Sequence, residues 1–282
     1  MTCTKPFILR KGQFDVGMPV PCRHCMACRI AITREWTTRL MHEAQYHKEN
    51  CFITLTYATE HLPADRSLSK RTLQLFIKRL RKSLGDTLIK YYACGEYGKL
   101  HSREHYHLII FGWSPPLEDL YYAEKKKGKQ YYGSRRISTI WTNGFNTVGS
   151  LTRDSCQYTV GYVRKKLYGQ QAKSVYEGRL PPFALQSRGL GARYAIENRT
   201  RIKADLCVRE NNKNVGLPRY YAKVVNVDGE KLKMKRYQKE AQVVAHYVDD
   251  GYDYHDYIKL ALAATEQKEK NLIAQEKLRR NR

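Results

Sequence analysis

The sequence predicts an α+β domain in which an antiparallel or mixed sheet carries helices on one face. Three observations lead there. Over the first 170 residues, helix-like and strand-like segments follow the order helix, strand, helix, strand, strand, strand, helix. The two central strands are separated only by the short polar connection KLHSR, which suits an antiparallel pair rather than a parallel crossover. One segment, SKRTLQLFIKRLRKSLGD, has strong amphipathic helical periodicity.

In chain order, Thr33 to Asn50 reads as a helix with Trp36, Leu40 and Ala44 on one stripe. CFITLTY (51–57) is rich in β-formers and reads as a central strand, followed by a loop punctuated by Pro63. The amphipathic segment then places Leu73, Phe76, Ile77, Leu80 and Leu84 at spacings of three and four, with Gly85 where a helix end favours glycine. Its other face carries Lys70, Arg71, Lys78, Arg79, Arg81 and Lys82, either a solvated face or one turned to DNA. LIKYYACGEYG (88–98) and the strand beginning at HYH form an antiparallel pair. YYAEKKKGKQYYGSRR (121–136) reads as a loop, gripping a nucleic-acid strand or merely charged and disordered. GFNTVGSL supplies another strand, and TRDSCQYTVGYVRKKLYG (152–169) a helix that Thr152 or Asp154 can cap. Beyond residue 170 the chain is rich in Gly, Arg and Tyr, then acidic and aromatic (248–257), and ends in a charged helix.

Charge narrows the function. Lys and Arg number 51 against 27 Asp and Glu, a net +24, with pI near 9.7. That excess points to a polyanion, nucleic acid before anionic membrane. The 22 tyrosines against 7 phenylalanines suit base stacking. No stretch has the apolar length of a membrane span, and the first residues lack the apolar core of a signal peptide, so an intracellular protein is expected. In that compartment the eight cysteines are expected to be reduced, and clustered ones suggest metal.

The stretch REHYHLIIFGW (103–113) carries two candidate ligands. Alternate strand residues share a face, so His105 and His107 project side by side, as metal ligands or as polar residues near a strand end. A hairpin would bring Glu96 alongside them. Two imidazoles and a carboxylate suit Mg²⁺ or Mn²⁺ in phosphoryl chemistry, with zinc the alternative. On the 152–169 helix, Tyr158 and Tyr162 lie four apart on one face, near Lys165 and Lys166. They are candidate nucleophiles with cations beside them, or ordinary core aromatics. Gly161 costs that helix about 1 kcal/mol relative to Ala, which suggests a close approach there. PCRHCMACR (21–29) sets Cys22, Cys25 and Cys28 together. With Cys3 they could hold structural zinc, pinning the N-terminal arm, or remain free thiols. Ile32 and Thr33 stand where a ferredoxin-type run needs Cys and Pro.

FITLTY (52–57), GEYG (95–98) followed by HYH (105–107), and YTVGYVRKK (158–166) together resemble the HUH-type rolling-circle replication initiators, most closely those of small single-stranded DNA phages of the gokushovirus type. The likeness runs from the N-terminal cysteines through SRGLGARYA (187–195). It implies a ferredoxin-like or RRM-like sheet bearing the histidines, with the nucleophilic tyrosine on a nearby helix. It also implies nicking of origin DNA through a 5′-phosphotyrosine intermediate, a free 3′-hydroxyl for the host polymerase, and later rejoining. His105, His107 and Glu96 would bind Mg²⁺ or Mn²⁺, Tyr162 would attack, Tyr158 would assist, and Lys165 and Lys166 would steady the phosphate. Gly161 stands where the family's YxxKYxxK arrangement has its first lysine. The partners implied are single-stranded and origin double-stranded DNA in the cytoplasm of a bacterial host. A host helicase is also implied, since no GxxxxGK[ST] phosphate loop is present. The division expected is a Cys-rich arm and helix (1–50), an endonuclease core (51–169) and a basic C-terminal region (170–282). The rivals are a transposase or relaxase of the same chemistry, and a zinc-bearing nucleic-acid-binding protein without catalysis.

Overall fold

The computed structural model describes residues 3–9, 18–98, 102–126, 129–164, 170–232, 234–235, 238, 241–242, 245, 251 and 253–281. It divides into two compact units, Trp36–Glu197 and Met1–Glu35 with Asn198–Arg282.

The strands in chain order are β1 (Phe7–Leu9), β2 (Met18–Val20), β3 (Asn50–Tyr57), β4 (Lys90–Tyr97), β5 (Glu104–Phe111), β6 (Leu120–Lys126), β7 (Lys129–Ser134), β8 (Gly144–Ser150), β9 (Phe183–Gln186), β10 (Cys207–Glu210) and β11 (Lys213–Gly216). The helices are α1 (Met26–Ala44), α2 (Lys70–Ser83), α3 (Arg135–Ile140), α4 (Arg153–Arg164), α5 (Gln170–Tyr176), α6 (Ala192–Glu197), α7 (Arg199–Asp205), α8 (Arg219–Val224) and α9 (Tyr254–Asn281).

In the Trp36–Glu197 unit, seven strands form one sheet in the order β6-β7-β8-β3-β5-β4-β9, every neighbouring pair antiparallel. The antiparallel sheet is the expected one, but helices cover both of its faces rather than one. Ile53, Leu55, Leu108 and Ile110 pack on one side with Phe76 and Leu80 of α2 and Ile137 of α3. Tyr92, Ile109 and Phe111 pack on the other with Leu40 of α1 and Cys156 and Val160 of α4. The physical reason is legible in β5, where Leu108, Ile109, Ile110 and Phe111 are consecutive and apolar, so both faces of that strand need cover.

Helix α2 follows its sequence closely. The Ser69 hydroxyl accepts a hydrogen bond from Thr72 N at 3.1 Å, filling one orphan donor of the first turn. Leu73, Phe76, Ile77 and Leu80 are buried, and Gly85 takes φ +58° just beyond the end. The six cationic side chains on its other face are exposed. Helix α1 begins and ends earlier than the Thr33–Asn50 segment expected. Asn50 starts β3, while its side-chain amide donates to the carbonyls of Ala44 and His47, both at 3.2 Å, which closes off the helix end. Residues 121–136, expected as a loop, instead form the β6–β7 hairpin and the start of α3. Tyr122 and Tyr132 face each other across that hairpin, a cross-strand aromatic pair that favours a ladder.

In the other unit, β1 pairs with β2 and β10 with β11. Asn211 and Asn212, at φ 48° and 60°, make the left-handed turn between β10 and β11. Asp253 caps α9 by accepting from Asp256 N at 2.8 Å. Among the described residues no helix is long and apolar enough to cross a membrane.

Candidate active site

Strand register builds the site. β4 sets Glu96 directly opposite His105 and Cys94 opposite His107. β3 sets Thr56 opposite His105 and Thr54 opposite His107. Residues directly opposite share a face, so both histidines and Glu96 lie on the side covered by α4. The His105 and His107 rings are parallel within 6°, centroids 6.4 Å apart.

Hydrogen bonds behind the ligand atoms orient both rings. His105 Nδ1 lies 2.7 Å from the Arg103 carbonyl, an acceptor, so Nδ1 carries the proton and Nε2 is left as a ligand atom. His107 Nδ1 meets the Thr54 hydroxyl at 3.1 Å, and its Nε2 lies 3.4 Å from Glu96 Oε1. Two imidazoles with Nδ1 engaged elsewhere, beside a nearly buried carboxylate, form a donor set that fits a hard divalent cation. Both glycines of GEYG have steric roles. A Cβ on Gly98 would lie 2.8 Å from His105 Cε1 and 3.2 Å from its Nδ1, and a Cβ on Gly95 would lie 2.9 Å from the Phe183 ring.

Helix α4 brings the tyrosines onto this face. Thr152 caps it in a reciprocal pair: Ser155 N donates to Thr152 Oγ1 at 3.1 Å, and Thr152 N to Ser155 Oγ at 2.8 Å. Cys94 Sγ donates to the Thr159 carbonyl at 3.3 Å, fastening α4 to β4. The Tyr162 ring then stacks flat on His107, centroids 4.8 Å apart and planes within 5°. Tyr158 meets the same imidazole at 5.2 Å, edge to face, and Tyr162 at 4.7 Å. Tyr162 is 7% exposed and Tyr158 51%. Burial pushes the Tyr162 phenol well above its ordinary range, and the Glu96 carboxylate adds to this. Burial also raises Tyr158, but its hydrogen bond with Tyr162 works in the opposite direction, so Tyr158 ionises more readily. Gly161 does not serve a close approach, since a Cβ there would meet nothing within 4 Å. Lys165 and Lys166 lie outside the described residues.

The cysteines form a second centre in the other unit. The sulfurs of Cys3, Cys22, Cys25 and Cys28 all lie within 4.8 Å of one another. Tetrahedral zinc with 2.3 Å bonds places its sulfurs about 3.8 Å apart, and Cys3 Sγ to Cys25 Sγ is 3.8 Å. Backbone N–H groups point at the sulfurs: Cys22 N to Cys3 at 3.2 Å, Cys25 N to Cys22 at 3.3 Å, Cys28 N to Cys25 at 3.4 Å. Burial works to raise the Cys25 thiol, but hydrogen bonds from Thr4 and Cys28 outweigh it and bring it down to about 6. Burial raises Cys28, as does the charge of Cys25. This donor set fits a metal such as zinc. Glu269 of α9 accepts from Met26 N at 2.7 Å, capping α1 beside the cluster.

Thr54, Gly98 and Arg103 are site residues that sequence reasoning missed. Thr54 and Arg103 are recognisable only once register is known, whereas the glycine ending GEYG was visible as a candidate for close approach.

The antiparallel sheet, with two histidines and a glutamate on one face and a two-tyrosine helix against them, is compatible with the fold of HUH-type enzymes. A family model for replication-associated proteins of the ORF2 type matches residues 50–167. The replication-associated protein ORF2 of Spiroplasma virus 4 is 37% identical over 223 residues, 74% of this chain and 68% of that protein. The replication-associated protein VP4 of Bdellovibrio phage phiMH2K is 41% identical over 154 residues, 52% of this chain and 48% of that protein. The replication-associated protein ORF4 of Chlamydia phage 1 is 30% identical over 225 residues, 76% of this chain and 56% of that protein. The chain belongs to this family of phage replication-associated proteins. It spans about half the length of the second and third of these relatives. No solved structure matches it.

Proposed function

We propose that this protein initiates rolling-circle replication by nicking origin DNA and later rejoining the strand. Tyr162 is the attacking group: its phenolic oxygen forms a bond to the scissile phosphorus, the bond to the 3′-oxygen breaks, and that oxygen leaves as a 3′-hydroxyl. The proton lost by the phenol balances the one gained by the leaving oxygen. The 5′-phosphotyrosine keeps the phosphodiester energy, so rejoining by attack of a 3′-hydroxyl needs no nucleotide.

The observation that carries this reading is the flat stacking of Tyr162 on His107, whose Nε2 faces Glu96. His105, His107 and Glu96 would hold Mg²⁺ or Mn²⁺, which when bound polarises a phosphate oxygen and offsets its charge. The raised phenol explains the need for positive charge at the site, because an unassisted Tyr162 stays protonated at neutral pH. Lys165 and Lys166 are assigned to the phosphate oxygens on sequence alone, and Tyr158 to a second, alternating role. The exposed cations of α2 and the net charge of +24 support DNA as the substrate. The Cys3, Cys22, Cys25 and Cys28 cluster is assigned to structural zinc. A host polymerase would extend the 3′-hydroxyl, and a host helicase would open the duplex.

The test is incubation of the purified protein, Tyr162→Phe and Tyr158→Phe with labelled circular single-stranded DNA and Mn²⁺ or Mg²⁺, followed by denaturing gels. A metal-dependent protein–DNA adduct lost in Tyr162→Phe is expected. An adduct lost only in Tyr158→Phe moves the nucleophile one helical turn. No adduct on any substrate, with DNA binding retained, leaves a binding protein without catalysis.

A further inference from the structure

The row of residues that holds the candidate ligands does not stop at them. Glu96, His105, Thr56 and Phe145 lie directly opposite one another across β4, β5, β3 and β8, so all four project from the same face. Phe145 is 66% exposed. Its direction is fixed by the residue that follows: Asn146 is 2% exposed on the opposite side, where its amide donates to Ser134 O at 3.3 Å and Ser138 Oγ at 2.9 Å.

The position of Phe145 is built rather than incidental. A Cβ on Gly144 would lie 2.3 Å from Ala58 N and 2.4 Å from Thr56 O, so only glycine lets β8 begin this close to β3. Ala58 N donates to Asn143 O at 2.9 Å and Trp141 Nε1 to Thr56 O at 3.0 Å, tying the same junction down. A cation stands at this end of the sheet. Arg103 Nη2 donates to Tyr57 O and Thr59 Oγ1, each at 3.2 Å, and Tyr57 pairs with Gly144. Both acceptors are neutral, so these bonds orient the guanidinium without cancelling its charge. Two strand spacings put the Phe145 backbone roughly 10 Å from that of His105, the scale of a nucleotide.

We propose that Phe145 is a stacking platform for a base of the single-stranded DNA beside the scissile phosphate, with Arg103 holding a neighbouring phosphate. This rests on the DNA-nicking reading above. An aromatic ring in open solvent, a fixed cation beside it and the reacting groups on the same row are what a strand laid across the sheet would need. Phe145 would position the substrate and take no part in bond making.

The test uses the full chain carrying both Tyr158→Phe and Tyr162→Phe, so that binding is read without cleavage, in Mg²⁺ with a fluorescent single-stranded oligonucleotide. Phe145→Ala should weaken Kd roughly 5- to 100-fold with an unchanged melting temperature. Phe145→Trp should keep the affinity and show quenching of the added indole as DNA binds. Equal affinity for parent and Phe145→Ala, or an unquenched Trp in the bound complex, overturns the inference and leaves nicking untouched. Failure of the parent to bind any DNA overturns both. Phe145-dependent binding by a protein that forms no adduct supports the platform while removing the nuclease.

Discussion

Gly98→Ala isolates the geometry of one candidate ligand. The added Cβ would sit 2.8 Å from His105 Cε1, against an ordinary carbon–carbon contact of about 3.5 Å. The imidazole, the backbone or both must therefore yield by about 0.7 Å. Gly98 N donates to Arg103 O at 2.8 Å, and His105 Nδ1 shares that acceptor at 2.7 Å, so displacement of either partner disturbs the bond that selects the ligand tautomer. Loss of such support behind a ligand costs about 10- to 100-fold in metal affinity. Gly98 is not among the glycines with positive φ, so alanine brings no backbone strain there and the melting temperature should move little. The assay is calorimetric titration with Mn²⁺ beside single-turnover adduct formation, with Gly149→Ala as control because a Cβ there meets nothing within 4 Å. Wild-type Mn²⁺ affinity and adduct rate in Gly98→Ala would refute the claim that this glycine sets the His105 position.

Three further outcomes are expected. Gly161→Ala should stabilise the protein by about 1 kcal/mol, raising the melting temperature by about 2–4 °C, because the new methyl enters open space in α4; a fall in melting temperature would contradict this. Atomic emission should find zinc in the wild type, absent from Cys25→Ser, and chelation should lower the melting temperature of the wild type while leaving that of the variant unmoved. Glu43 is buried, which raises its carboxyl, but His47, Lys90 and the Gly191 N–H outweigh burial and hold it below the usual range. A carboxyl with a depressed folded-state pKa contributes stability that is present above the unfolded value near 4.3 and lost as pH falls through the folded value. Glu43→Gln should therefore destabilise at pH 7 by about 1–3 kcal/mol. Denaturant titrations should show that gap closing below pH 4, and a constant gap would rule out this origin.

Local patterns carried much of the fold. The α2 stripe of Leu73, Phe76, Ile77 and Leu80 could be read because helical periodicity is a property of adjacent turns. The β4–β5 hairpin was legible from two β-rich segments and a short link, and with it the approach of Glu96 to His105. The cysteine spacing likewise foretold the gathering of Cys3, Cys22, Cys25 and Cys28. Cover on both faces of the sheet was missed, although β5 is apolar on both sides, because a continuous apolar run states burial without naming what covers it. The 121–136 segment was misread because its lysines and Gly128 resemble a loop, whereas the Tyr122–Tyr132 pairing exists only once the strands meet.

Sequence by itself determined the ligand types, their order and the family to which the chain belongs, since composition, spacing and motif are local. Tertiary structure alone decided that Tyr162 stacks flat on His107 while Tyr158 stays half in solvent. It alone placed Arg103 O on the His105 imidazole and set Phe145 on the histidine row. These depend on strand register and helix docking, which long-range packing fixes and no local pattern encodes.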